Sequence, residues 1–267
     1  MSDADRAFTG SVPELYDRYM GPMFFEPFGR DLAGRFAGFA GSILETAAGT
    51  GRVTRLLAEV APAADITATD LNPPMLARAA EAVSASHVRW RQADAQALPF
   101  GDASFDAVVC QFGVMFFPDK AKGYAEARRV LRPGGRFVFS VWDDLAHNDA
   151  SRIAEEALAA LFPDDPPSFF ARTPFGYHDA VEIHRSVEAA GFADCTIETV
   201  RLETPSPSAR DAALGLIGGT PLSGLVKALD PARLDEAIDA AAEALRRSFG
   251  TGTIRDHGQA LVVTASV

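Results

Sequence analysis

Between Gly41 and Trp142 short apolar runs alternate with longer runs of helical periodicity, and few architectures accept such a rhythm. Strands are expected near 42–46, 65–70, 88–92, 105–111 and 136–142, with helices near 50–60, 73–84 and 120–131. Strands joined by crossover helices form a parallel sheet with helices on both faces. "FDAVVCQFGVMF" (105–116) is apolar enough for a central strand covered on both sides. In "LRPGGRFVFSVW" Pro133 stops a helix, and Gly134 and Gly135 turn the chain into the fifth strand. The expected fold class is α/β, doubly wound.

The flanks are less regular. Ser11 and Glu14 have capping-box spacing, Pro13 suits a first helical turn, and the aromatic stretch "YDRYMGPMFFEPF" follows. Beyond Trp142 come a helix in "DASRIAEEALAALF", a loop in "PDDPPSFFARTPFGYHD", and a helix in "DAVEIHRSVEAAGF" that ends at Gly191. A strand in "DCTIETVRLETP" and a closing strand in "GQALVVTASV" bracket a helical block over 206–249 that reads as an insertion.

The formal charge of -11 argues against a nucleic-acid partner, whose phosphates call for a basic footprint. The basic pairs Arg128-Arg129 and Arg246-Arg247 sit in helical pattern and read as solvated faces. Cys110 and Cys195 fall in separate strands without C-x-x-C spacing, so neither a disulfide framework nor a metal site is expected. The polar start "MSDADRAFTG" does not read as a secretory signal, and no apolar run approaches the ~20 residues that cross a bilayer. A cytoplasmic protein is the simplest expectation.

The chemistry concentrates in "ILETAAGTGRVTRLL" (43–57). A strand that leaves through glycines into a helix lets backbone N–H groups approach a ligand that side chains would block. Taken alone, the turn also reads as a tight connection. Asp70, in "ITATDLN", follows the glycines by about 20 residues, where an acid meets ribose hydroxyls in open parallel sheets; it also reads as a cap for the next helix. Asp94, in "RQADAQALPF", follows the third strand and reads either as an adenine-edge contact or as a surface turn. Three strands thus end in small or polar residues at one sheet edge. The nicotinamide pattern G-x-G-x-x-G is not met: counted from Gly49, its third glycine is Thr54.

"ETAAGTG" (45–51), "TDLNPPML", "QADAQALPFGDASFDAVVC" and "RRVLRPGGRFVFSVW" together resemble the motifs of class I S-adenosylmethionine-dependent methyltransferases. The likeness is greatest to the small-molecule, ubiquinone/menaquinone-type (methyltransferase type 11) branch and covers about 35–145. It implies a mostly parallel, Rossmann-like seven-stranded sheet with an antiparallel final strand and a helical cap insertion. It further implies lid helices over 1–34, a core over 35–205 and 250–267, and a cap over 206–249, in one domain overall. The implied cofactor is S-adenosylmethionine, with S-adenosylhomocysteine as product.

Carried over residue by residue, the resemblance puts Ala47, Gly49 and Gly51 along the methionine end of the cofactor, with Glu45 steadying the turn or the amino group. Ala47 stands where members often carry glycine. Asp70 would hold the ribose, Leu71 would pack on the adenine, Met75 would also bind the cofactor, and Asp94 and Ala95 would meet the adenine amino group. Gln111 and Phe112 would close the site, and Tyr16 is the lid candidate. The acceptor pocket is expected from Tyr19, Met20, Phe24, Phe25, Trp142, Phe169, Phe170, Phe175 and Tyr177, since apolar lining with few polar groups suits a small molecule. His147 and His178 are the candidate bases.

The expected activity is methyl transfer to a small, mostly apolar or aromatic molecule. The helical block either caps the pocket or offers a homodimer surface. The competing readings are a nicotinamide-dependent oxidoreductase, a non-catalytic S-adenosylmethionine-binding protein, and an RNA methyltransferase, the last disfavoured by charge.

Overall fold

A computed structural model describes residues 12–267, with Ser11 and the rest of the N-terminus, and so the expected capping box, outside the described residues. In chain order the elements begin with α1 (Val12–Leu15), a wide π-type helical segment (Tyr16–Phe25) and α2 (Glu26–Gly34). Then follow β1 (Ser42–Glu45), α3 (Arg52–Val60), β2 (Asp65–Asp70), α4 (Pro73–Ala82), β3 (Val88–Gln92), β4 (Phe105–Gln111), α5 (Lys120–Val130) and β5 (Leu131–Trp142). The remainder is α6 (Asp149–Leu161), α7 (Ala180–Ala189), β6 (Asp194–Ser206), α8 (Ala209–Ala213), α9 (Leu222–Leu229), α10 (Leu234–Phe249) and β7 (Ile254–Ser266).

The seven strands form one sheet in the order β3-β2-β1-β4-β5-β7-β6. β1 pairs in parallel with β2 and β4, and β5 pairs in parallel with β4 and antiparallel with β7. This is the doubly wound, mostly parallel sheet with an antiparallel final strand. The order reverses at β1/β4, the switch point where open α/β sheets bind ligands beyond their carboxyl ends. The Pro133-Gly134-Gly135 turn lies within β5 as a register shift: Phe105 pairs with Leu131, but Ala107 pairs with Arg136.

Two compact units divide the described residues: 28–142, 177–200 and 260–267 in one, and 12–27, 143–176 and 201–259 in the other. The first holds most of the sheet. One of its faces buries Ile43, Ile66, Val109, Val138 and Val262 against Leu32 and Phe36 of the N-terminal side and Val53, Leu56 and Leu57 of α3. On α3 these residues recur at helical spacing, which is why this stretch packs as an amphipathic helix.

The second unit takes in residues 143–176, a stretch that the sequence reading places with the sheet. Polar contacts specify the grouping. The Asp256 carboxylate accepts the Ala150 amide at 2.9 Å, and Asn148 exchanges hydrogen bonds with the Gln259 backbone at 3.2 and 3.0 Å. The Glu155 carboxylate accepts the amides of Phe169, Phe170 and Ala171 at 2.8, 2.7 and 3.1 Å, which fixes the aromatic loop.

Leu57 is fully buried in the sheet-facing cluster. Leu57→Ala is expected to lower unfolding free energy by about 2–5 kcal/mol, the range for a large-to-small change in a packed core, read from urea unfolding curves.

Candidate functional site

The site is built at the carboxyl ends of β1, β2 and β4. β1 ends at Glu45, and the chain then turns through Thr46–Gly51 into α3. Three turn residues carry positive φ: Ala47 at 53°, Gly49 at 57° and Gly51 at 81°. Gly51 has no room for a side chain, since a Cβ there would lie 2.9 Å from the Ala79 Cβ and 3.0 Å from Trp90. Gly49 is the opposite case: a Cβ there would meet nothing within 4 Å. The backbone at Gly49 therefore borders open space, while Gly51 is glycine for packing. Ala47 adopts the left-handed region despite its methyl, a conformation costing of order 1–3 kcal/mol that the surroundings must over-determine. A Cβ on Gly113 would lie 2.5 Å from that methyl, so a residue without a side chain stands beside the extra carbon.

Asp70 ties the turn to β2. Its Oδ2 accepts the Gly49 amide at 2.8 Å, and its Oδ1 accepts the Asn72 amide at 2.8 Å and the Asn72 side chain at 3.3 Å. Asp70 is not the cap of the next helix, since Asn72 is the N-cap of α4; its bonds to Gly49 and Asn72 are compatible with a ligand role, because each carboxylate oxygen accepts more than one hydrogen bond. Burial pushes the Asp70 carboxyl above the usual carboxylate range, opposed by the hydrogen bonds donated by Asn72 and Gly49.

Behind the turn lies Glu45, 2% exposed. The Thr54 hydroxyl donates to its Oε2 at 2.6 Å, and the Thr69 hydroxyl donates to its backbone carbonyl at 2.9 Å. Burial pushes the Glu45 carboxyl up to about 8, the Thr54 hydroxyl favours its charged form, and Asp70 adds to the rise. Two carboxyl groups thus share a low-dielectric pocket near the start of α3, where the helix N-terminus favours negative charge.

Leu71 is 48% exposed beside the buried Asp70, an uncovered apolar surface at the strand end. Met75 is buried on α4. Gln92 holds the Leu71 carbonyl at 3.0 Å. Asp94 closes its own turn: its Oδ1 accepts the Gln96 amide at 2.8 Å, and its carbonyl accepts the Ala97 amide at 2.9 Å. Ala95 lies inside that turn.

At the ends of β4 and β5, Phe112 takes φ 50° and stacks on Trp142 with centroids 3.8 Å apart and planes at 8°. Phe28, at the start of α2, meets both rings edge-on at 5.6 and 5.0 Å. The sequence reading did not single out Phe28. The i, i+4 pair Phe28 and Leu32 in "EPFGRDLAG" was the signal available for it.

Other expected residues fall elsewhere. Tyr16 stacks on Phe25 at 4.6 Å within the wide helical segment, whose Pro22 lacks the N–H of a regular helix. Met20, Phe24 and Phe25 are buried, while Tyr19 is half-buried with the Arg18 guanidinium 5.2 Å from its ring. Phe169, Phe170 and Phe175 are buried, the first two held by Glu155. Tyr177 is buried with its hydroxyl 3.1 Å from that of Tyr124 and Lys120 over its ring at 4.7 Å. His147 is exposed at the end of a short turn in the second unit, and His178 is half-buried in the first, so the two candidate bases belong to different units. Among the described residues no single helix is long and apolar enough to cross a membrane.

Residues 44–139 match a family described as "Methyltransferase domain". The demethylmenaquinone methyltransferase of Thermus thermophilus is 48% identical over 98 residues, which are 36% of this chain and 44% of that protein. The ubiquinone/menaquinone biosynthesis C-methyltransferase of Paracoccus denitrificans is 40% identical over 100 residues, 36% of this chain and 40% of its own length. The match thus spans less than half the length of these curated relatives. Among solved structures, phosphoethanolamine N-methyltransferase 2 of Haemonchus contortus in complex with S-adenosyl-L-methionine superposes with TM-score 0.63 at 17% identity, covering 100% of this chain and 60% of that one. The YcgJ protein of Bacillus subtilis superposes with TM-score 0.57 at 19% identity, covering 88% and 97%. At such identities the superpositions speak to the fold, and the sequence match speaks to the core. Residues 44–139 thus match a methyltransferase domain, and the sheet that carries them has the fold of the solved methyltransferases it superposes on.

Proposed function

We propose that this protein transfers a methyl group from S-adenosylmethionine to a small, mostly apolar or aromatic acceptor of the phenol or quinone type. The observation that carries the reading is the turn at Gly49. Its backbone borders open space at the carboxyl edge of the sheet, and a buried Asp70 carboxylate holds it there. That is the shape a cofactor's methionine end requires. Asp70 retains accepting capacity for ribose hydroxyls, and Leu71 offers an apolar face for a purine.

The cofactor, when bound, supplies an activated methyl on a sulfonium sulfur. The task left to the chain is to bind, orient and exclude water. Gly49 gives the backbone its close approach, Gly51 lets the turn pack against Ala79 and Trp90, Asp70 sets the ribose, and Glu45 sits at the base of the turn. The Phe28, Phe112 and Trp142 rings offer an apolar wall at the ends of β4 and β5 that suits a planar acceptor. Aromatic faces also favour cationic groups. Quinone-type chemistry is in the names of the two curated relatives and supports this acceptor class for the present chain. The further calls extend the same proposal: Tyr16 as lid, and Tyr19, Met20, Phe24, Phe25, Phe169, Phe170 and Tyr177 as acceptor lining. His147 or His178 would serve as base only for an acceptor that must lose a proton.

The test is a calorimetric titration with S-adenosylmethionine, followed by transfer of labelled methyl to a panel of phenols and hydroquinones. Asp70 substitutions remove a strut of the turn together with a ligand acceptor, so glycine variants are the sharper probes. Gly49→Ala is expected to lower stability by only about 1–2 kcal/mol, for its left-handed backbone, yet to weaken cofactor binding at least tenfold. Gly51→Ala is expected to lower stability by about 2–4 kcal/mol, from backbone strain plus overpacking against Ala79 and Trp90. Cofactor binding by Gly49→Ala equal to wild type contradicts the placement. Binding of a nicotinamide nucleotide in place of S-adenosylmethionine contradicts the function, and binding without any labelled acceptor points to the non-catalytic reading.

A further inference from the structure

Thr54 stands where a dinucleotide-type turn carries its third glycine, a position kept small for close helix–strand packing. Here the position is fully buried and still carries a hydroxyl, and that hydroxyl is spent on one group, the Glu45 carboxyl, at 2.6 Å. A buried hydroxyl placed on a buried carboxyl one helical turn into α3 is more than packing requires, since valine would fill the same volume. We propose that Thr54 is a positioning residue: it holds the Glu45 carboxyl at the base of the Ala47–Gly51 turn in the state that can become charged when the cationic methionine end of the cofactor binds. The inference rests on the cofactor reading above and adds to it a proton that leaves on binding.

The groups facing Glu45 set the sign. Asp70, from the end of β2, opposes its ionisation, as does burial, and the Thr54 hydroxyl favours it. Cys110, from β4, is buried and pushed up to about 12, so it is neutral throughout the working range. In the free protein Glu45 therefore carries its proton below about 8. A ligand ammonium brought near it favours the carboxylate, so the proton is released to solvent as the ligand binds. Affinity should accordingly rise with pH up to about that value. Removing the Thr54 hydroxyl takes away a neighbour that favours the charge, which moves this rise to higher pH and weakens binding at pH 7.

S-adenosylhomocysteine is the probe, because it keeps the ammonium and lacks the reactive methyl. Wild type, Thr54→Val, Thr54→Ser and Glu45→Gln are titrated by calorimetry from pH 6 to 8.5 in two buffers of different ionisation enthalpy, with thermal unfolding confirming that each is folded. Expected for wild type is release of close to one proton per site at pH 7. Expected for Thr54→Val is affinity reduced about tenfold at pH 7 with the pH rise displaced upward. Thr54→Ser should restore both, and Glu45→Gln should bind without proton release. Thr54→Val matching wild type in affinity and pH profile overturns the inference alone, and so does Thr54→Ser failing as Thr54→Val does. Absence of binding by folded wild type at every pH overturns the cofactor reading and this inference with it.

Discussion

The Asp70 carboxylate joins the end of β2 to the turn after β1, accepting the Gly49 amide with one oxygen and the Asn72 amide with the other. Much of the site's geometry depends on that bridge. It holds the Ala47–Gly51 turn open where it would otherwise relax from three successive left-handed excursions. It also orients the start of α4, which follows Asn72. Because the carboxylate is buried, the same bonds that satisfy it specify the turn, and losing either donor would strand a buried charge.

Two further tensions sit in the same place. Glu45 is an acid at the end of a buried strand, and Ala47 and Phe112 hold backbone conformations that their side chains disfavour. Glu45, Ala47 and Phe112 thus lie where β1 and β4 end, next to a sheet face built of Ile, Val and Leu.

Much of this was legible in the sequence, for stated reasons. The strands at 42–45, 65–70, 88–92 and 105–111 announced themselves because apolar runs bounded by turn residues have few other solutions. Glu45 and Gly49 after β1 and Asp70 at the end of β2 stood out in the sequence because two neighbouring strands end in acids beside a glycine turn. What was hidden depended on contacts distant in sequence. Phe28 gains meaning only when Phe112 and Trp142 arrive beside it. Thr54 read as a missing glycine until its hydroxyl met Glu45. Residues 143–176 group with the helical block through Asp256, Gln259 and Asn148, pairings that no local pattern encodes. The wide helical turn through Pro22 hid how the first helix continues into α2, because its period is not that of a regular helix.

The most direct measurement is a crystal structure of the chain grown with S-adenosylhomocysteine. Expected is ligand with its homocysteine portion against the Gly49 backbone, its ribose hydroxyls within hydrogen-bond distance of the Asp70 carboxylate, and its purine over Leu71. Ligand density away from the Ala47–Gly51 turn, or crystals of the folded protein that exclude the ligand at saturating concentration, would contradict it.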